Sequence, residues 1–81
     1  MNIYVGNLSY RLRENDLQGV FEEYGQVDSC RIIKDRDTNR SKGFAFLDMP
    51  DDAAAKKAIE ELNGAELEGR PLVVKESLPR A

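Results

Sequence analysis

The chain has 81 residues, with 12 Lys and Arg against 15 Asp and Glu, 41% hydrophobic residues, one cysteine and no histidine. One core fits in this length and a two-domain enzyme does not. A lone cysteine forms no internal disulfide, and without histidine there is no ligand set for zinc or a transition metal, so no metal and no cofactor are expected. The apolar runs are far shorter than the ~20 residues that cross a bilayer, and no basic-then-apolar leader opens the chain, so no membrane partner and a cytoplasmic location are expected.

Ile3-Tyr4-Val5-Gly6-Asn7-Leu8 is a β-branched and aromatic run closed by polar residues, which predicts a first strand. Leu17, Val20, Phe21 and Tyr24 follow at i, i+3, i+4 and i+7, the apolar stripe of a helix from about Glu14 to Tyr24 that Gly25 can terminate at its C′ position. The start of that helix is weakly signalled, because Arg13 stands where Ser, Thr or Asp would cap it, and Gly19 in its interior costs about 1 kcal/mol relative to Ala. Val27 to Lys34 reads as a second strand, joined by the polar turn Asp35 to Ser41 to a third strand, Lys42-Gly43-Phe44-Ala45-Phe46-Leu47-Asp48-Met49. Pro50-Asp51 opens a second helix whose buried face is Ala55, Ala58, Ile59 and Leu62, and Asn63-Gly64 ends it. Arg70-Pro71-Leu72-Val73-Val74-Lys75 is the last predicted strand.

The order βαββαβ is the split βαβ pattern of the α+β, ferredoxin-like class: a four-stranded antiparallel sheet with both helices on one face and the other face open. Period-two alternation in the third strand puts Gly43, Ala45, Leu47 and Met49 on one side and Lys42, Phe44, Phe46 and Asp48 on the other. Only the aliphatic side resembles a core lining. Phe44 and Phe46 are therefore expected on the open face, with Tyr4 beside them once Ile3 and Val5 point inward. Exposed aromatics grouped in this way need a partner. Flat rings flanked by cations suit nucleobases, which stack on a ring at about 1 to 3 kcal/mol each, while Lys42, Arg36 and Arg40 are available to phosphate.

The net charge of −3 argues against a polyanionic partner until its distribution is considered. Arg31, Lys34, Arg36, Arg40 and Lys42 oppose only Asp35 and Asp37 across the predicted hairpin, whereas Glu14, Asp16, Glu22 and Glu23 fall in one helix region and Asp51, Asp52, Glu60 and Glu61 in the other. An acidic helical side and a less acidic sheet are expected.

Lys42 to Met49 resembles the RNP octamer of the RNA recognition motif family, and Ile3 to Leu8 resembles its partner hexamer. The Asp35 to Lys42 loop and the Leu62-Asn63-Gly64 and Gly69-Arg70-Pro71-Leu72 segments are similar to that family too, so the match covers essentially residues 2 to 76. As a stand-alone domain the chain looks most like the small bacterial single-domain RNA-binding proteins of the family, with the motif domain at 1–77 and a short tail at 78–81. The resemblance implies that Tyr4 stacks one base, Phe44 the next, that Phe46 packs against sugars and that Lys42 pairs with phosphate. It also implies lesser contacts from Asn7, from Arg31 and Ile33 on the second strand, and from Val73 and Lys75 on the fourth. Met49 departs from the aromatic that commonly ends the octamer, at an inward position where it can fill core space.

Blander readings apply elsewhere. Tyr10, Phe21 and Tyr24 read as core or helix-packing residues, Cys30 as a small buried hydrophobe, and Arg36 and Arg40 either as RNA contacts or as a solvated hairpin tip. The expected function is binding of single-stranded RNA, with single-stranded DNA a further candidate, by a monomer of low-to-moderate affinity. The alternative is a protein-interaction module that uses the sheet or the acidic helical face. Catalysis is not expected: the chain has no histidine base, no phosphate-binding glycine loop opening a helix and no carboxylate pair in an evident pocket.

Overall fold

A computed structural model of the chain describes residues 1–38 and 41–77, at 41 and 42 by the backbone alone. The elements are β1 (Asn2–Gly6), α1 (Glu14–Glu22), β2 (Ser29–Lys34), β3 (Ser41–Asp48), α2 (Asp52–Leu62), β4 (Glu66–Leu67), β5 (Arg70–Pro71) and β6 (Val73–Ser77). Four strands form an antiparallel sheet in the order β2-β3-β1-β6, while β4 and β5 make a separate small hairpin. This is the expected βαββαβ architecture with a hairpin inserted before the last strand.

The core lies between one face of the sheet and the two helices. Ile3 and Val5 of β1, Ile32 of β2, Ala45 and Leu47 of β3 and Val74 of β6 bury against Leu17 and Phe21 of α1 and Ala55, Ala58 and Leu62 of α2. Met49 is fully buried, as its inward position predicts. Both helices contribute to this one cluster, so both cover the same face, and their acidic side chains Asp16, Glu22, Glu23, Asp52, Glu60 and Glu61 lie exposed. The Tyr24 phenol is held above its ordinary pKa first by desolvation and then by the charges of Glu61 and Glu23.

Several local features differ from expectation, each for an identifiable reason. The weak start of α1 is repaired by Asp16, whose carboxylate accepts from the Arg13 backbone N–H at 3.2 Å, one half of a capping box without a capping side chain at Arg13. The helix ends earlier than Tyr24, with Glu23 as its C-cap, and Gly25 is not a left-handed terminator. Gly25 instead marks a close approach: a Cβ there would stand 2.7 Å from the Ala54 Cβ of α2. The last strand begins at Val73 instead of Arg70. Leu72 donates to the Ala65 carbonyl at 2.9 Å and accepts from the Gly64 N–H at 2.7 Å, which ties it to the segment after α2. Glu68 and Gly69, with φ of 53° and 77°, turn β4 back on β5. Ile59 is half-buried rather than core, and Tyr10 is 67% exposed rather than packed.

Both outer edges of the sheet meet a polar side chain from a helix end. The Glu14 carboxylate accepts from the Ile32 N–H of β2 at 3.0 Å, and Asn63 Oδ1 accepts from the Val74 N–H of β6 at 3.1 Å. Each occupies an N–H that could otherwise pair with another strand.

Leu17→Ala should cost about 2 to 5 kcal/mol in denaturant unfolding, and the half-buried Ile59→Ala should cost less. A neutral Leu17→Ala would contradict the packing. Cys30 is half-buried, and its thiol pKa is pushed up to about 11, first by burial and then by the Glu14 carboxylate. Because only the thiolate reacts, alkylation of the native protein at pH 8 should be far slower than that of the unfolded chain and should rise about tenfold per pH unit. The sign for stability follows from the unfolded thiol losing its proton first: stability falls as pH rises from the unfolded pKa toward 11.

Candidate nucleic-acid interface

The register of the sheet decides which side chains meet on its open face. Tyr4 of β1 stands opposite Phe46 of β3 on one side and Lys75 of β6 on the other, and Phe46 in turn stands opposite Arg31 of β2. Partners in register point to the same face, so Arg31, Phe46, Tyr4 and Lys75 form one row across all four strands, two rings between two cations. Phe44 lies two residues along β3 from Phe46 and therefore on the same face. The neighbouring row at the other end, Ser29, Asp48, Asn2 and Ser77, is polar and carries a carboxylate, which bounds the cationic surface there.

The three rings form a triangle. Tyr4 and Phe44 centroids are 6.0 Å apart with planes inclined by 28°, while Phe46 stands more nearly edge-on to both, at 5.8 Å and 63° from Tyr4 and at 6.1 Å and 85° from Phe44. Such contacts are worth about 0.5 to 1.5 kcal/mol each, enough to hold the rings in place without a ligand. All three are half-buried, since each is screened by the others, whereas the residues alternating with them, Ala45 and Leu47, are buried.

Gly6 seats the Tyr4 ring. A Cβ at Gly6 would stand 2.7 Å from the Tyr4 hydroxyl oxygen and 2.9 Å from Cε1, so the ring lies down over bare backbone two residues further along the same face. The Lys75 ammonium is 5.3 Å from the Tyr4 centroid, within cation–π range. Sequence reasoning gave Gly6 no role, although a glycine two residues from an exposed strand aromatic is the signal for a close approach.

The remaining site candidates divide. Val73 is 44% exposed and stands opposite Gly6, continuing the open face, and Ile33 is half-buried at the end of β2. Asn7 adopts a left-handed φ of 58° and its Nδ2 donates to the Pro71 carbonyl at 2.7 Å, so its amide ties β5 to the end of β1. Arg36 is exposed in the turn beyond β2 and is not part of the row. That turn is built on Asp35, whose Oδ1 accepts from the N–H groups of Asp37 and Thr38 at 2.8 and 3.4 Å. Arg40 and the Lys42 side chain lie outside the described residues. Among the described residues there is no cluster of three potential metal-ligating side chains, and no helix is long and apolar enough to cross a membrane.

Solved structures and sequences of other proteins resemble this chain in fold and sequence. The crystal structure of RNA Binding Protein PG1 superposes with a TM-score of 0.97 at 57% identity, covering 100% of this chain and 98% of that one. The Rna15 RRM with bound RNA (GU) superposes at a TM-score of 0.85 and 30% identity, over 94% of this chain and 81% of the other. Among sequences, the Nostoc sp. protein named "Putative RNA-binding protein RbpD" is 52% identical over 80 residues, 99% of this chain and 85% of that protein. The family model for the RNA recognition motif matches residues 3–73, from the strand that carries Tyr4 to the first residue of the strand that carries Lys75. With fold and sequence match in agreement, the chain belongs to the RNA recognition motif family.

Proposed function

We propose that this chain binds short single-stranded RNA on the open face of its sheet and carries out no chemistry there. The observation that carries the reading is the row Arg31, Phe46, Tyr4 and Lys75, with Phe44 beside it. One base stacks on Tyr4 and the next on Phe44, whose rings lie side by side with similar tilt. Phe46, edge-on to both, packs against the sugars between them. Arg31, Lys75 and Lys42 face phosphates, and Val73 and Ile33 widen the apolar floor. Asn7, Arg36 and Arg40 contribute at the margins.

Two or three bases stacked at about 1 to 3 kcal/mol each give a gross of about 4 to 8 kcal/mol, which corresponds to dissociation constants between about millimolar and micromolar. The few cations on the face add a shallow salt dependence, about −0.7 in slope per phosphate contact on a single strand. Stacking alone does not distinguish ribose from deoxyribose, so single-stranded DNA should bind as well, more weakly wherever a 2′-hydroxyl is contacted. We take residues 1–77 as the binding domain of a cytoplasmic monomer and 78–81 as a tail. A protein-interaction role for the sheet is disfavoured because such a surface has no need for two rings between two cations and a third ring beside them.

Phe44→Ala should lower RNA affinity by about 1 to 3 kcal/mol while leaving the melting curve nearly unchanged, since the ring is outside the core. A collapse of thermal stability would contradict the assignment. Gly6→Ala should also weaken RNA binding, by lifting the Tyr4 ring from its seat, and unchanged affinity would remove that role. For Lys42→Ala the check is ionic strength: the slope of log affinity against log salt should shrink by about 0.7, with affinity falling alike for all sequences.

A further inference from the structure

Tyr10 is exposed, yet it is held. It lies in the loop between β1 and α1 at 67% exposure, the most exposed large hydrophobic residue among those described. The guanidinium carbon of Arg70 is 5.6 Å from its ring centroid, and Arg70 Nη1 donates to the Leu8 carbonyl at 3.1 Å. Arg70 is thus a cation fixed by a main-chain bond and stacked near a ring. A guanidinium has five N–H donors, so this bond leaves others for a ligand.

The position of the pair gives it a direction. A Cβ built at Gly43 would lie 3.7 Å from Tyr10 Cε1 and 3.5 Å from the Leu8 carbonyl oxygen, and the Leu8 N–H donates to the Gly43 carbonyl at 2.8 Å. Gly43 immediately precedes Phe44. The edge of the Tyr10 ring therefore abuts β3 at the residue before Phe44, at the end of the sheet away from the row of Asp48. The charge there is favourable too. No carboxylate occurs before Glu14, Arg11 and Arg13 follow Tyr10 directly, and the carboxylates nearest Arg70 in sequence are Glu66 and Glu68 of the hairpin.

We propose that Tyr10, braced by Arg70, is a further one-nucleotide stacking position that extends the aromatic surface past Phe44, so that a strand lying on Tyr4 and Phe44 continues onto the β1–α1 loop. This rests on the RNA-binding reading of the sheet. The occupant is a nucleotide of the same strand because the ring abuts the sheet at Gly43, one residue from Phe44, and carries the Arg70 guanidinium beside it, with Arg11 next in sequence, as a base with its phosphate requires.

The test is an NMR titration of the labelled full chain with random-sequence RNA of two and of six nucleotides, in the wild type and in Tyr10→Ala, Tyr10→Phe and Phe44→Ala. Tyr10→Ala should weaken the hexamer by about 5- to 150-fold and leave the dinucleotide unchanged, while Tyr10→Phe retains hexamer affinity and Phe44→Ala weakens both. In the wild type the Tyr10 ring resonances should move with the hexamer and stay still with the dinucleotide, a reading that needs no mutant to fold. Wild-type hexamer affinity in Tyr10→Ala, or an equal loss for both lengths, overturns the proposal. No shift of the wild-type sheet with either RNA overturns the underlying reading instead, and Phe44→Ala would then match the wild type.

Discussion

The antiparallel register between β1 and β3 is the constraint on which the rest depends. It sets Ile3 opposite Leu47 and Tyr4 opposite Phe46, so adjacent pairs have opposite fates. The first pair is buried under the helices and the second lies on the open face. A slip of one residue would turn the aromatic rings into the core and expose Ile3, Val5, Ala45 and Leu47, which the hydrophobic effect forbids. The same aliphatic burial that stabilises the domain therefore displays its rings. Outer strands then add a cation at each end of the row, Arg31 from β2 and Lys75 from β6.

The open face is organised before any ligand arrives. Three mutual ring contacts, a glycine seat beneath Tyr4 and an ammonium near its ring fix side chains that would otherwise lose rotamer freedom on binding. Prior ordering of this kind lowers the cost of association for a ligand of this face. The overall acidity does not contradict a polyanionic partner, because the acids are sorted. Those of the two helices lie exposed on the covered side of the sheet, which leaves cations to dominate the row.

Much of this was legible in the sequence. Alternation in Lys42 to Met49 separated the rings from the core lining, and the apolar stripe of α1 identified Leu17 and Phe21. What escaped were features set by contacts distant in sequence. Gly25 reads as a helix terminator but serves as a gap for Ala54, a residue of the other helix. Arg70 to Lys75 reads as one strand, because nothing local shows that Leu72 will be drawn to Ala65 and Gly64. Tyr10 reads as a packing residue until Arg70, sixty positions away, is seen beside its ring. The cap of α1, by contrast, is a local feature: Asp16 stands at the third helical position and reaches back to a backbone N–H. Patterns with period two or 3.6 report the burial of faces, whereas close approaches and cation–ring pairs belong to the assembled fold.

The most direct test of the central claim is an NMR titration of the labelled protein with short single-stranded RNA at low salt, followed residue by residue over the sheet. Shifts concentrated on Tyr4, Phe44, Phe46, Arg31 and Lys75, and largely lost in Phe44→Ala, are the result predicted by an aromatic row that stacks bases. A silent sheet at high RNA concentration, with shifts confined to the helices or absent altogether, would contradict it.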